Sequence, residues 1–231
     1  MLFRSNLAGY WTDVFDYQAT VNNNAINVIR GYLANAGQVR SRGFEFDTSF
    51  RPSSRLNLYV NGAFTDAKYV RFANAPCPPE LSGGSAASAT NAASPAGQAG
   101  SATQPSYSPA QCDISGQRLP GISKWSFSFG GEYNVPVGSK GGEAYVGYDG
   151  NYRSRFSSNP SPSAYTWIEG YSLSNVRAGY REGGINVFGW VRNVFDKQYF
   201  ELLSTQSGST GLIVGQPGDP RTYGVTLATR F

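Results

Sequence analysis

Apolar and polar side chains alternate along several stretches of the chain. In 38–50, Phe44 and Phe46 lie on one face, and the positions between them carry polar or small residues. Strict alternation is typical of a β-strand with one apolar and one polar face. A polar turn with proline at its second position follows in 51–55, and the alternation resumes in 56–65. This pair of segments predicts an antiparallel hairpin.

The same pattern returns later in the chain. It covers 125–134, 144–153, 174–181 and 222–231. Two further stretches are less regular, since 3–13 has no decisive phase and 185–192 is apolar on both faces. The sequence therefore predicts an all-β protein with about eight antiparallel strands.

The connections between these strands alternate in length. Short turns rich in Gly, Pro or Ser lie near 51–55, 135–142 and 182–184. Long connections lie near 18–37, 70–118, 154–168 and 201–220. This arrangement is typical of a transmembrane β-barrel, which has short periplasmic turns and long extracellular loops. The alternation of side chains by itself is equally compatible with a soluble antiparallel sandwich.

The polar faces carry many charged and amide side chains. They are Glu45, Asp47, Asn57, Asn61, Glu132, Asp149, Asn151, Arg153, Arg177 and Arg230. A dry core would have to pair each of these charges, whereas a water-filled or plug-filled lumen accommodates them. The apolar faces carry aromatic residues near the strand ends, as interfacial girdles do. These residues are Trp125, Tyr133, Tyr152, Tyr171, Tyr180, Tyr223 and Phe231.

Composition excludes several classes of function. Only 15% of the 231 residues are charged, against about 25% in soluble domains. The chain has no histidine and two cysteines, which excludes Ser-His-Asp catalysis and four-thiolate or His-containing zinc sites. The net charge of +4 is spread out, which argues against nucleic acid. We therefore expect no enzyme, no metal and no cofactor.

The sequence shows no signal for a helical membrane anchor or for export. No window of about 18 apolar residues predicts a transmembrane helix. The N-terminus lacks the charged head, apolar run and cleavage site of a signal peptide.

The longest connection is of low complexity. Ser, Gly and Ala make up 20 of the 30 residues in 82–111, without a charge, which predicts a mobile extracellular loop. Cys77 and Cys112 flank this segment, and in an oxidising compartment they would form a disulfide at its base. Two free thiols are the alternative.

Two segments near the C-terminus resemble TonB-dependent outer-membrane receptors. VRNVFDKQYF at 191–200 resembles a signature of that family, and GQPGDPRTYGVTLATRF at 215–231 resembles its closing strand. The matching positions are Asn193, Val194, Phe195, Asp196, Lys197, Tyr199, Pro220, Arg221, Tyr223, Gly224 and Phe231. The hairpin of 43–50 and 56–69 resembles an earlier part of the same barrel, so the resemblance covers nearly the whole chain.

The resemblance implies a barrel of roughly 22 strands with a plug in its lumen. Such receptors bind scarce ligands, namely iron-siderophore complexes, cobalamin or some glycans, and import them with energy from the TonB complex. Because residues 1–231 supply about eight strands and no plug domain, we expect the final third of a barrel, unable to transport alone. An autonomous eight-stranded structural or adhesive barrel, a soluble sugar-binding sandwich and an outer-membrane enzyme are the alternatives.

The resemblance also assigns roles and partners. Outward residues of the last strand would be read by the barrel-assembly machinery, in contact with outer-membrane lipid. These residues are Tyr223, Val225, Leu227 and Phe231. A structural role at a strand-to-loop transition is expected for the family motif, whose side chains can satisfy backbone groups. Its residues are Asn193, Phe195, Asp196 and Tyr199. The exposed aromatics Tyr107, Tyr165 and Trp167 are candidates for ligand contact, or for membrane-edge anchors.

Overall fold

The computed structural model describes residues 1–23, 30–77, 112–138, 141–159, 163–205 and 212–230. Its twelve strands are β1 (Leu2–Asn23), β2 (Arg30–Arg51), β3 (Leu56–Arg71), β4 (Trp125–Val137), β5 (Gly142–Arg153), β6 (Phe156–Ser157), β7 (Trp167–Ile168), β8 (Tyr171–Glu182), β9 (Ile185–Arg192), β10 (Phe200–Thr205), β11 (Ile213–Pro217) and β12 (Thr222–Thr229).

Eight of these strands form one antiparallel sheet in the order β1-β2-β3-β4-β5-β8-β9-β12. The remaining strands form two small hairpins within the connections, β6 with β7 and β10 with β11. In the part of the chain that the structure describes, β1 and β12 are the two edges of the sheet and do not pair with each other. The prediction of about eight antiparallel barrel strands is confirmed, and the sheet is open.

The register gives the sheet one apolar and one polar face. Phe44 pairs with Phe64 and Phe64 with Trp125, so their side chains share the apolar face. Asp47 pairs with Asn61 on the polar face. Large hydrophobic residues of the apolar face remain exposed, with Leu7 at 75% and Val225 at 79% of full exposure. This face is built to contact an apolar surrounding rather than a protein core.

Strand β9, whose sequence is apolar on both faces, also places alternate residues on the two faces of the sheet. Its residues Val187 and Val191 pair with Leu227 and Tyr223 of the apolar face. Its aromatic residues lie on the polar face, where Trp190 covers Gly224 so closely that an added Cβ would lie 2.6 Å from the indole ring. Large side chains lie flat over glycines of a neighbouring strand elsewhere in the sheet too. These pairs include Tyr59 over Gly130, Arg177 over Gly147 and Phe129 over Gly150.

The first two strands are much longer than the sequence pattern indicates. The prediction of a long connection over 18–37 is wrong, because Tyr17–Asn23 pair residue by residue with Arg30–Ala36. A strand of 22 residues extends for roughly 75 Å, whereas about 9–11 residues suffice to cross a bilayer. In this extension small side chains such as Ala19, Ala34 and Ala36 stand where large apolar ones stand elsewhere. Its period of two is therefore weak in hydrophobic contrast.

We call the end of the sheet that carries the long connections the loop end, and the opposite end the turn end. The parts of β1, β2 and β3 nearest the loop end contribute to a small core. Its buried members are Ala19, Val21, Ala36, Val39, Tyr69, Phe72, Ala75, Cys77, Cys112 and Ile114. Cys77 and Cys112 are joined by a disulfide, with their Cα atoms 5.1 Å apart. The segment between them lies outside the described residues, so the prediction of a mobile loop there stays a prediction.

A second small core joins the connections predicted near 154–168 and 201–220. Phe156, Ile168 and Tyr171 are buried there, with Tyr199 and Leu203 packed against them. Tyr171 therefore belongs to this core, and its assignment to an interfacial girdle is wrong. No helix in the described part of the chain is long and apolar enough to cross a membrane.

Glycines at close strand contacts should tolerate no side chain. A methyl group at Gly43 would overlap the carbonyl oxygen of Phe64, whereas at Gly189 the nearest atom would lie 3.9 Å away. We expect Gly43→Ala to lower the free energy of unfolding by about 1–3 kcal/mol, and the matched Gly189→Ala to change it by less than about 1 kcal/mol. Urea unfolding in detergent measures both. Equal stability of the two variants would contradict the described pairing of β2 with β3.

The disulfide gives a second prediction. Closing a segment with a sequence separation of 35 residues contributes about 3–4 kcal/mol in the chain-entropy model. Cys77→Ser combined with Cys112→Ser should lower the free energy of unfolding by up to that amount. Alkylation of unfolded, exported protein should label no thiol before reduction and both thiols afterwards. Two reactive thiols before reduction would rule the bond out.

Candidate functional site on the polar face and at the loop end

The polar face concentrates ionised side chains on β4, β5 and β8. Arg177 Nη2 lies 3.1 Å from Glu132 Oε2, and Arg177 Nη1 pairs with Asp149. The Tyr59 hydroxyl donates to the other oxygen of Asp149 at 2.8 Å. Cross-strand register brings these residues together, because Gly147 stands opposite Arg177 and leaves room for the guanidinium.

Arg181 extends this network toward the turn end. Its Nη2 donates to Glu132 Oε1 at 3.2 Å and to the Asn134 side chain at 2.9 Å. Its Nε lies 2.9 Å from Glu143 Oε2. Glu132 thus accepts from both arginines, and each arginine bridges two carboxylates.

The network is half-exposed and borders a groove. Side-chain exposures in its ion pairs run from 21% for Glu132 to 40% for Arg181. Exposed pairs of this kind contribute about 0–1 kcal/mol each, so stability alone does not explain five charged groups here. A groove of about 570 Å³ adjoins them and is lined also by Arg51 and Arg55 at the turn end. The groove can hold a polar, charged surface by hydrogen bonds and ion pairs.

The family motif forms a hydrogen-bonded clasp at the loop end of β9. Asn193 is buried at 6% exposure and has a positive φ of 50°. Its side-chain amide donates to the carbonyl oxygens of Lys197 and Asp219, and its Oδ1 accepts from the Lys197 N–H at 2.8 Å. Its own N–H donates to Asn175 Oδ1 at 3.0 Å. One side chain thereby ties β9 to the segment that enters β12.

The other motif residues surround this clasp. The Asp196 carboxylate accepts from the Arg221 N–H at 3.2 Å, and Phe195 is 76% exposed. Tyr199 packs on Tyr171 with ring centroids 4.5 Å apart, and burial raises the pKa of the Tyr199 hydroxyl. These contacts support the structural role expected for the motif, which remains a proposal.

The aromatic candidates for ligand contact lie apart from the network. Tyr165 is 66% exposed in a short 3-10 helix, Ala164–Thr166. Trp167 lies under the guanidinium groups of Arg118 and Arg155, at 5.8 and 4.8 Å from its ring centroid. Tyr107 lies outside the described residues, so the structure does not test whether the three come together.

The last strand presents its alternating residues as expected. Tyr223, Val225 and Leu227 are 67–80% exposed on the apolar face. Phe231, the fourth residue of the predicted assembly signal, lies outside the described residues. Among the described strands, β12 pairs with β9 alone, so its other edge is available for pairing.

Sequence reasoning missed part of the polar network. Glu132, Asp149 and Arg177 were recognised as polar-face residues, but their pairing with Arg181 and Glu143 was not. Arg181 ends the alternating segment 174–181, Glu143 lies one residue before the segment 144–153, and the two stand in register with each other. Extending the second segment by one residue would have placed Glu143 on the polar face. The described residues contain no group of three or more Cys, Asp or Glu side chains placed to hold a metal ion.

These features define a section of β-barrel wall with an apolar outer surface and a polar lumen surface. Residues 2–194 match the family described as TonB dependent receptor-like, beta-barrel. The chain belongs to this family, which consists of receptors and transporters of the Gram-negative outer membrane. No curated protein sequence matches the chain.

Solved structures agree with this fold. The ferric yersiniabactin uptake receptor FyuA from Yersinia pestis is similar with a TM-score of 0.66 at 14% identity, over 99% of this chain and 28% of that receptor. The copper transporter OprC gives 0.62 at 14% identity, over 98% and 28%. The ferric-catecholate import receptor Fiu from E. coli K12 gives 0.59 at 17% identity, over 99% and 25%. The chain thus spans about a quarter of the length of these structures.

Removing the Asn193 clasp should loosen the loop end selectively. Asn193→Ala removes the three hydrogen bonds of this side chain to backbone groups of Lys197 and Asp219, each of which contributes about 0.5–1.5 kcal/mol. We expect limited proteolysis to cut between β9 and β12 faster in this variant. Asn61→Ala is the control, because Asn61 is an exposed amide of the same polar face. Unchanged cleavage in Asn193→Ala would show that the motif does not hold this connection.

Proposed function

We propose that the chain forms part of the wall of an outer-membrane receptor that takes up a scarce small molecule, such as an iron-siderophore complex. The family match supports the receptor class. The choice of ligand rests on structurally similar proteins, which include a ferric yersiniabactin uptake receptor and a ferric-catecholate import receptor. Cobalamin and glycans are the other ligands that the family resemblance implies.

The single observation that carries this proposal is the division of the sheet into two faces. The apolar face exposes large side chains along all eight strands, as contact with lipid requires. The opposite face carries the network of Glu132, Arg177 and Asp149, which a lumen can hydrate or cover. A soluble sandwich would bury one of these faces against a second sheet.

Because the sheet is open, we favour eight strands that form part of a larger barrel over an autonomous eight-stranded barrel. Unpaired backbone groups at a strand edge cost several kcal/mol each in lipid, and both β1 and β12 have such an edge within the described residues. Further strands of the receptor would pair these edges. A barrel of roughly 22 strands also leaves a lumen wide enough for a plug.

The partners follow from this placement. The arginine-carboxylate network and the adjoining groove would face the plug domain, through which the TonB complex delivers energy. Outer-membrane lipid would cover the apolar face. The barrel-assembly machinery would recognise the closing strand through Tyr223, Val225, Leu227 and Phe231. Without a plug and the remaining wall, the chain would not transport.

The reading frames upstream of the Met1 codon provide a first test. We expect them to encode a plug domain and roughly fourteen further strands, the difference between 22 and eight. An unrelated upstream gene, together with a chain that folds as a closed barrel alone, would contradict the proposal.

Uptake provides the second test. The receptor, produced with its plug domain in a host lacking its own siderophore receptors, should restore growth under iron limitation with at least one ferric siderophore of a panel. Growth should require TonB, so the same strain without TonB is the control. Failure with every iron complex in the panel would contradict the siderophore assignment, and growth without TonB would contradict the mechanism.

A further inference from the structure

The apolar face changes its chemistry in three successive rows at the loop end of β1–β4. The first row is aromatic, since Phe44, Phe64 and Trp125 stand in register across β2, β3 and β4. Their ring centroids lie 4.8–5.8 Å apart. Such a row marks the interfacial girdle where the apolar band of a barrel ends.

The second row lies two residues farther along each strand and mixes aromatic and charged groups. It contains Trp11, Arg42 and Asp66, again in register. Arg42 pairs with Asp66 at 3.1 Å, and its guanidinium lies 5.1 Å from the centroid of the Trp11 ring. The charges of this row are balanced within it.

The third row is cationic. Asp13 stands opposite Arg40, Arg40 opposite Lys68, and Lys68 opposite Arg118. Asp13 pairs with Arg40 at 2.9 Å. Lys68 and Arg118 have no acidic partner among the residues that the structure describes. The row thus places three cations side by side against one carboxylate.

The cations of this row repel one another, since Arg40 stands directly opposite Lys68 and Lys68 directly opposite Arg118. Like charges placed directly opposite each other in adjacent strands are destabilising. A bound anion would remove this repulsion, and no described acidic side chain does so for Lys68.

The position of the row identifies the kind of anion. Arg40 and Lys68 lie four residues beyond Phe44 and Phe64, which is roughly 13 Å along a strand. At a strand tilt of about 45° this places the cations roughly 9 Å above the girdle. That height corresponds to lipid headgroups, while the aromatic row below is positioned to contact acyl chains.

We infer that Arg40, Lys68 and Arg118 form a binding site for the phosphate groups of an outer-leaflet lipid headgroup. Guanidinium and ammonium groups bind phosphate strongly, and arginine does so with two parallel hydrogen bonds. The continuity of the site with the aromatic row favours a phosphate carried on a lipid over a free phosphate ion. The inference rests on the proposed outer-membrane placement and goes beyond the proposed uptake activity.

The test uses protein purified from outer membranes in detergent and native mass spectrometry. The probes are lipid A, which is a twice-phosphorylated acylated disaccharide, its dephosphorylated form, and inorganic phosphate. Lys68→Gln combined with Arg118→Gln removes the two cations without acidic partners. Arg4→Gln combined with Lys197→Gln is the matched control, because it removes the same charge at exposed positions elsewhere.

We expect the Lys68/Arg118 variant to bind lipid A about tenfold or more weakly than the unmodified protein, and the control variant to bind it equally well. Dephosphorylated lipid A should bind all three proteins alike. Equal binding of lipid A by both variants would overturn the inference. Displacement of lipid A by millimolar inorganic phosphate would assign the site to a free anion and would also overturn it.

Fractionation and heat-modifiable migration on gels separate this inference from the proposed function. A protein that fractionates with the outer membrane and migrates as a folded barrel, yet shows no phosphate-dependent lipid binding, refutes the lipid site alone. A protein absent from the outer-membrane fraction refutes both.

Discussion

The structure depends on the requirement that backbone N–H and C=O groups be paired wherever water is absent. In lipid an unpaired group costs several kcal/mol, so each strand must run beside a neighbour in continuous register. Within the described residues, the eight strands of the main sheet meet this requirement except at its two outer edges, β1 and β12. The register then decides the rest, because a period of two sends every second side chain to lipid and the others to the lumen.

Strand spacing imposes a further condition on side-chain size. Neighbouring strands lie about 4.8 Å apart, so a large ring can lie flat on the wall only where its neighbour has no side chain. The sheet meets this condition with glycine beneath the rings of Tyr59, Phe129 and Trp190 and beneath the guanidinium of Arg177. These glycines of the sheet are therefore partners of large side chains on neighbouring strands. Large side chains and glycines together give each face of the sheet a single, even layer of side chains.

Sequence patterns predicted the sheet well where lipid enforces them. The alternation around Phe44, Phe46 and Trp125 was clear because an apolar environment selects one face strongly. The loop-end halves of β1 and β2 were missed because buried positions there hold small residues such as Ala19 and Ala36, which give little contrast between the two faces. Tyr171 was wrongly assigned to a girdle, because the sequence pattern of an aromatic residue at a strand end is the same in a girdle and in a small core. The links among Glu132, Arg177 and Arg181 depend on register between strands distant in sequence, which local periodicity does not contain.

The disulfide at the base of the longest connection makes the spacing of two strands independent of the segment between the cysteines. Because Cys77 and Cys112 join the chain just above β3 and before β4, the spacing of these strands is fixed there, whatever lies between the two cysteines. Insertions, deletions and drift within 78–111 therefore leave the register of the wall unchanged. The sequence of 78–111 can therefore change without loss of the strand pairing in the sheet.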